Sequence, residues 1–546
     1  MRVAYLDQDR FQQALRETEA GALDCVVAVT AALDPTNPDG LKAVLDEGIR
    51  ALKDGGLLFV QGRPDYLPEL GVYLDGRLHF KYWISVESAL RQGSGLPSVH
   101  AAVLLFTKGD GRFNVKRTRF PHQYCAHCGR TLKDWGGKAH LMHPDGYVIS
   151  DVWKDLPPAD NYTRLSGPVL ETILRMIDVC SPDAQGIVGP VRSGAGMVAE
   201  PPARYVQPRF PPPEATRAPV PAPVSADMLD VVHQGDAVEV LRQYPDHSID
   251  LVFADPPYNL DKAYHVYDDE QADEEYLAWC DAWLAEYARV LKPTGSLYVL
   301  NLPRWTMYHA AFLNRRLYFQ NWIVWDAMSE PRGKLMPAHY GLLFYTKHPT
   351  DFTFNYGAVG RLDARYYCLR ASCIRQRKAA GVDDEAALTD LWWDVHRIRH
   401  KRDRDYHPCQ LPEPLMERII RLSTNEGDVV LDALCGAGTT LVAAARLGRR
   451  YVGIDLDARY VQITRAKIAE VERRGYVPRE SVRRPQRTYT KKELQLELRE
   501  LAARLGRLPT PEDVRRMSQY DLEAFTETFP TWGKALKAAK YLDLCD

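Results

Sequence analysis

No apolar run in these 546 residues reaches the length of a bilayer crossing, so the sequence offers no transmembrane helix. Charge of one sign is also lacking. The chain has 70 Lys and Arg against 72 Asp and Glu, a net −2, so nothing global announces nucleic acid or a membrane surface. The ten cysteines follow no regular spacing, which excludes a disulfide framework, fits a reducing cytoplasm and makes most of them small buried hydrophobes. The opening Met1-Arg2-Val3-Ala4 reads as a strand rather than a signal peptide. The turn Gly436-Ala437-Gly438 has no third glycine and no Walker lysine, which disfavours a dinucleotide or a triphosphate. The length exceeds what one core holds and predicts two or more large domains.

What is present centres on Asp255-Pro256-Pro257-Tyr258, at the end of the apolar run Leu251-Val252-Phe253-Ala254. These residue types suit the methylation of an exocyclic amino group, a poor nucleophile because its lone pair is delocalised into an aromatic base. A carboxylate and a proline-fixed carbonyl can accept the two amino protons, and a tyrosine ring can stack on a flipped base. An ordinary strand-to-loop turn is the bland reading of the same four residues. A second segment reads as a buried strand, a glycine turn and a helix start: Val429 to Asp432, Ala433-Leu434-Cys435-Gly436-Ala437-Gly438, then Thr439-Thr440. Gly448 stops that helix, and the next strand, Tyr451 to Ile454, ends in Asp455. Glycines that admit a ligand to the backbone and an acid for ribose hydroxyls make a nucleotide-type half-site, for which S-adenosylmethionine is the favoured ligand.

Here the chain resembles the DNA amino-methyltransferases, the N6-adenine and N4-cytosine enzymes, in the permuted order that places the catalytic tetrapeptide before the methyl-donor site. The resemblance covers residues 228–472. It includes Gly235-Asp236, Leu291-Lys292-Pro293-Thr294-Gly295, the segment from His339 to Lys347, His407-Pro408-Cys409-Gln410-Leu411-Pro412, and Asp455 with Tyr460. It implies Asp255, Pro256, Pro257 and Tyr258 as catalytic. It implies Asp236, Asp432, Leu434, Cys435, Gly436, Ala437, Gly438, Thr439, Thr440, Asp455, His407 and Gln410 as cofactor-binding. Cys435 departs from the family's usual bulkier residue. Pro408-Cys409-Gln410 is similar to the nucleophile segment of cytosine-C5 enzymes, but the order of motifs is wrong for them. An Asp at the head of the tetrapeptide leans towards adenine, with cytosine N4 as the alternative.

Residues 1–198 run collinear with 228–445. Asp24 to Ala28 falls on Asp250 to Ala254, Leu52 to Val60 on the segment from Leu291, and Ser150-Asp151-Val152-Trp153 on Thr389-Asp390-Leu391-Trp392. In this first copy Val29 stands where Asp255 stands in the second, and Thr30-Ala31-Ala32 replace Pro-Pro-Tyr, so it reads as inactive. Its added Cys125-x2-Cys128 and His140-x2-His143 have the ligand types for structural zinc, with a loop of solvent-facing histidines as the other reading. The second copy keeps only Cys368 and Cys373 there, and no metal is expected in it.

The expected fold class is α/β: two Rossmann-like methyltransferase folds, the first degenerate, plus a small all-α C-terminal module. The expected boundaries are 1–198; a proline-rich spacer, 199–227; a catalytic domain, 228–472, with target recognition at about 350–404; a basic linker, 473–488; and helices over 489–546. Arginines of the recognition segment, among them Arg361, Arg365, Arg370, Arg375 and Arg377, are candidates for phosphate and guanine contacts. Within 489–546, Thr510 caps a helix with Pro511 at its first position, and the segment is similar to the repeat found beside homing and HNH endonucleases, which implies DNA binding. The expectation is a monomeric, internally pseudo-dimeric, cytoplasmic and nucleoid-associated DNA methyltransferase acting on duplex DNA, with a partner nuclease undecided. A nucleic-acid-binding protein with a vestigial cofactor pocket is the competing class.

Overall fold

The computed structural model describes residues 2–33, 37–109, 118–132, 142–159, 163–177, 184–190, 222–260, 267, 269–327, 335, 337–382, 384–398, 410–476, 490–529 and 531–539. The basic linker's core, most of the proline-rich spacer, His140, His407 and Cys409 lie outside them. Among the described residues no helix is long and apolar enough to cross a membrane.

Apolar runs bounded by turn residues become strands of two mixed sheets, buried on both faces as sheets flanked by helices require. The first sheet comprises β1 (Arg2–Tyr5), β2 (Leu23–Val29), β3 (Leu52–Gly62), β4 (His79–Arg91), β5 (Ser98–Thr107), β6 (Val152–Trp153) and β7 (Gln185–Gly189), in the order β1-β7-β2-β3-β5-β4-β6. The second comprises β8 (Val231–Gln234), β9 (Ile249–Ala254), β10 (Leu291–Asn301), β11 (Tyr318–Asp326), β12 (His339–Thr346), β13 (Leu391–Trp392), β14 (Val429–Asp432) and β15 (Arg450–Asp455). Its order is β8-β15-β14-β9-β10-β12-β11-β13.

Details recur between the two sheets. Leu23 faces Leu52, then a register slip brings Cys25 opposite Leu57; Ile249 faces Leu291, then the same slip brings Leu251 opposite Ser296. Asp24 accepts from Lys53 Nζ and from the Gln185 amide, both at 2.9 Å. Asp250 accepts from Lys292 Nζ at 2.8 Å and from the Val429 amide at 2.9 Å. The Trp153 and Trp392 indoles each donate to a carbonyl three residues earlier, at 2.8 Å. One place differs. Beside β14 lies β15, which ends in Asp455, whereas beside β7 lies the N-terminal β1.

The sheets share one continuous hydrophobic core, and the contacts between them come in reciprocal pairs. Trp83 and Trp322, at matching positions of β4 and β11, stack at 3.8 Å with planes 4° apart. Asp390 accepts from the Val99 amide at 2.8 Å and lies 3.2 Å from His100 Nδ1; Asp151 accepts from the Ala338 amide at 2.8 Å and lies 3.0 Å from His339 Nδ1. Tyr82 donates to the Leu335 carbonyl and Asn321 Nδ2 to the Leu96 carbonyl, both at 3.0 Å. Helices Leu67–Asp75 and Pro303–Leu313 cross where Gly71 meets Met307; a Cβ on Gly71 would stand 2.4 Å from the Met307 sulfur. Here the bonds run one way: Arg304 and Tyr308 of the second half donate to Asp75 of the first, and Asn314 donates to Glu69.

Four C-terminal helices, Lys491–Leu505, Pro511–Met517, Leu522–Thr528 and Trp532–Ala538, enclose their own core around Leu494, Leu498, Val514 and Phe525. Capping boxes at Thr490 with Glu493 and at Thr510 with Asp513 satisfy the first two helix starts, and Pro511 occupies the first turn as its sequence predicts.

Candidate active site and a cysteine cluster

Three adjacent parallel strands deliver the chemistry-bearing residues to one edge. β14 pairs with β9, placing Phe253 opposite Asp432, and with β15, placing Asp432 opposite Gly453. Beyond those ends lie Asp255, the glycine turn and Asp455. Between β14 and β9 the strand order reverses direction, the place where open α/β sheets leave a crevice for a ligand. One pocket there is lined by Phe253, Asp255, Gln410, Leu411, Asp432, Leu434, Cys435, Gly436, Ala437, Thr439 and Thr440.

The tetrapeptide is braced from beneath. The Tyr276 hydroxyl donates to the Pro257 carbonyl at 2.7 Å, and the Trp305 indole donates to the Tyr258 carbonyl at 2.9 Å. Asn301 Nδ2 in turn donates to the Tyr276 hydroxyl at 2.9 Å. Among the described residues no donor reaches the Pro256 carbonyl. The Tyr258 hydroxyl donates to Asp255 Oδ1 at 2.6 Å, and its buried ring lies 5.6 Å from that of Tyr340.

The glycine turn is held from both sides. Gly436 and Gly438 have φ of +48° and +76°, and a Cβ on Gly438 would stand 2.4 Å from the Thr464 methyl. Helix Ala458–Arg474 supplies the Thr464 hydroxyl to the Gly436 carbonyl at 3.0 Å and Lys467 Nζ to the Ala437 carbonyl at 2.7 Å. The Asp455 carboxylate accepts the Gly436 amide at 2.8 Å and the Asp457 amide at 2.8 Å. Burial pushes Asp455 up to about 6 against those two amides. Burial also pushes Asp432 up to about 7, opposed by hydrogen bonds from Thr440 and the Leu434 amide and reinforced by the charge of Asp455.

Sequence expectations meet the structure unevenly. Asp255, Asp432, Leu434, Cys435, Gly436, Ala437, Thr439, Thr440 and Gln410 converge on the pocket. Asp236 is not among the pocket's lining residues; it caps a short helix, accepting the Val238 and Glu239 amides at 2.9 and 3.0 Å. In the first half, the turn at Thr30 is closed: its hydroxyl donates to the Gln61 carbonyl at 2.6 Å and meets Tyr66 at 3.0 Å. Three arginines of the recognition segment serve internal contacts: Arg365 pairs with Glu87 and Arg377 with Asp363, while Arg370 donates to the Thr131 carbonyl. Arg375 and Lys378 remain exposed. The braces Tyr276, Trp305 and Asn301 and the turn-holders Thr464 and Lys467 were not anticipated, since no motif marks them.

The expected metal ligands are corrected. Cys125 and Cys128 do not gather with His143, whose Nδ1 accepts the Asp145 amide at 3.2 Å in an exposed loop. They gather with Cys368 and Cys373, the pair expected to hold no metal; the four sulfurs lie within 4.8 Å of one another. The spacing within each half was legible, but the pairing runs between halves.

The strand-tip acid, the glycine turn and the acid-terminated strand around one pocket define an α/β protein with a nucleoside-type site. Residues 249–466 match the DNA methylase model of the N6/N4 methyltransferases, and residues 489–541 match the homing endonuclease associated repeat. The chain is 39% identical to the type II methyltransferase M.BamHI of Bacillus amyloliquefaciens over 236 residues, 42% of this chain and 55% of that protein. It is 34% identical to the type II methyltransferase M.HpaI of Haemophilus parainfluenzae over 238 residues, 43% of this chain and 72% of that protein. It is 32% identical to the DNA adenine methyltransferase YhdJ of Escherichia coli (strain K12) over 240 residues, 43% of this chain and 80% of that protein. The chain thus spans about half the length of M.BamHI and most of the other two. It belongs to the N6/N4 DNA methylase family, whose methyl donor is S-adenosylmethionine. The residues present suit that donor: Gly436, at positive φ, lines the pocket with bare backbone, and Asp455 is bonded to its amide.

Proposed function

We propose that this chain methylates the exocyclic amino group of a base flipped out of duplex DNA, with adenine N6 as the target. The observation that carries the reading is that Asp255 and the glycine turn line one and the same pocket. S-adenosylmethionine supplies an electrophilic methyl group when bound; Gly436, Ala437, Gly438, Gln410 and Asp455 would hold it.

The chain's own residues do the rest. The flipped base, extruded at a cost of about a few kcal/mol, stacks on Tyr258. Its amino group donates one hydrogen bond to the Asp255 carboxylate and one to the Pro256 carbonyl, which draws the nitrogen towards a tetrahedral geometry. The Tyr258 hydroxyl fixes Asp255 Oδ1, while Tyr276 and Trp305 hold the loop so that the acceptors are already aimed. Once methylated, the nitrogen loses a proton to water. Positioning and hydrogen-bond activation account for the rate, with no covalent intermediate.

The Asp heading the tetrapeptide and the likeness to an adenine methyltransferase favour adenine. Nucleoside mass spectrometry of duplex DNA incubated with the protein and the donor tests this. N6-methyladenine is expected, whereas N4-methylcytosine would transfer the same mechanism to the runner-up base. Two type II methyltransferases among the relatives favour a restriction-protecting role.

The same proposal takes residues 1–198 as a degenerate copy that forms an internal pseudo-dimer with the catalytic half. Its support is the shared strand order, the matched register slips and the reciprocal contacts around Trp83 and Trp322. The C-terminal repeat is read as a DNA-holding module.

A further inference from the structure

We infer that Cys125, Cys128, Cys368 and Cys373 form a structural tetrathiolate zinc site that staples the two halves together. The sulfurs of Cys125 and Cys373 are 3.7 Å apart, and those of Cys128 and Cys368 are 3.6 Å apart. A disulfide would bring them to about 2.05 Å. Four sulfurs about 2.3 Å from a central zinc form a tetrahedron with edges of about 3.8 Å, the spacing of both cross-pairs.

The backbone around the cluster is built for thiolates. Cys125-Ala126-His127-Cys128 forms a tight turn closed by the Gly129 amide on the Cys125 carbonyl at 2.9 Å, with Gly129 at φ +64°. The Cys368 amide donates to Cys125 Sγ at 3.3 Å. Cys373 lies in the first turn of helix Ala371–Ala380, whose N-terminal amides favour negative charge. Arg377, one turn further on, is buried against Asp363 and interacts with Cys373, which puts a fixed positive charge beside a site of net charge −2.

Among the described residues, few other contacts hold these two loops together. Their apolar cluster is small, comprising Ala364, Tyr367 and Leu132 beside the cysteines. Direct bonds between the halves here include the Ala126 amide to the Tyr366 carbonyl at 3.0 Å and Arg370 to the Thr131 carbonyl at 2.7 Å. Four thiols packed side by side are weak mutual donors, whereas a zinc ion replaces their protons with four strong bonds and adds directly to folding stability. The cross-pairing also follows the reciprocity of the interface. The first cysteine of each half meets the second cysteine of the other, just as each His-Asp pair is made once in each direction. The metal would lie where the relation between the halves closes on itself, tying the segment that starts near Tyr366 to the first half.

The test uses the full-length chain, purified under reducing conditions from zinc-supplemented medium. Plasma mass spectrometry is expected to find one zinc per chain, released in proportion as an organomercurial titrates the thiols. The double variant C368S/C373S should lose the zinc although the Cys-x2-Cys turn is intact, and H140A/H143A should keep it. Cobalt substitution of the wild type, which needs no variant to fold, should give the tetrahedral spectrum of four sulfur ligands. Zinc retained by C368S/C373S, zinc lost by H140A/H143A, a mixed nitrogen and sulfur cobalt spectrum, iron in place of zinc, or no metal at all would each overturn the assignment.

Discussion

Asp255 and Asp455 do opposite work with the same functional group. Asp255 follows the strand that ends at Ala254, and in the proposed reaction it accepts a hydrogen bond from the substrate amine. Asp455 is spent partly on its own backbone, where the Gly436 amide locks the glycine turn. If Asp455 holds the donor as proposed, its raised value of about 6 predicts pH-dependent binding: titration calorimetry should show S-adenosylmethionine affinity falling as pH drops through about 6, and Asp455→Asn should flatten that slope. Stability runs the other way. Asp432 and Asp455 hold protons more tightly when folded than when unfolded, so their burial costs stability as pH rises from the ordinary carboxylate range to about 7. Tyr276→Phe removes the hydroxyl that holds the Pro257 carbonyl. It should lower kcat about tenfold, on the order of one hydrogen bond, with donor affinity unchanged.

Elements that pack by simple rules were legible before any coordinates. The run from Leu251 to Ala254, the strand before Asp432 and the strand ending at Asp455 are buried parallel strands, whose apolar residues are continuous and bounded by acids and glycines. Thr510 and Pro511 announced a helix start because capping chemistry is local. What stayed hidden depends on partners far along the chain. Trp305 and Tyr276 become braces only when their helices dock beneath the tetrapeptide. Arg365 looked like a phosphate ligand because its partner, Glu87, belongs to the other half. The cysteines were misassigned for the same reason, since nearby histidines are closer in sequence than the thiols that meet them in space. At the glycine turn, Gly438→Ala should cost about 1–2 kcal/mol from left-handed backbone alone, plus the clash with Thr464. Denaturant unfolding should register that loss, and donor binding should weaken with it.

The whole molecule is organised around a paired interface. Trp83 on Trp322, two His-Asp pairs and two crossed helices join halves of which one carries the tetrapeptide and the other a closed threonine turn. Buried His-Asp pairs are weak sources of stability but strict in geometry, so they select one docking of the two sheets. A catalytic half expressed alone, residues 222–546, would expose Trp322 and the apolar surface around it, a patch that drives association. Light scattering of that fragment should find aggregates or self-associated species; a monodisperse monomer with full activity would remove the first half from any structural role.

The most direct test of the account is transfer of labelled methyl from S-adenosylmethionine to duplex DNA by the wild type and by Asp255→Ala, each first shown to bind the donor. The wild type should label adenine in DNA, and the variant should bind donor normally yet label DNA about 10²-fold more slowly or less. Undiminished labelling by the variant, or donor binding with no labelled DNA from the wild type, would contradict it.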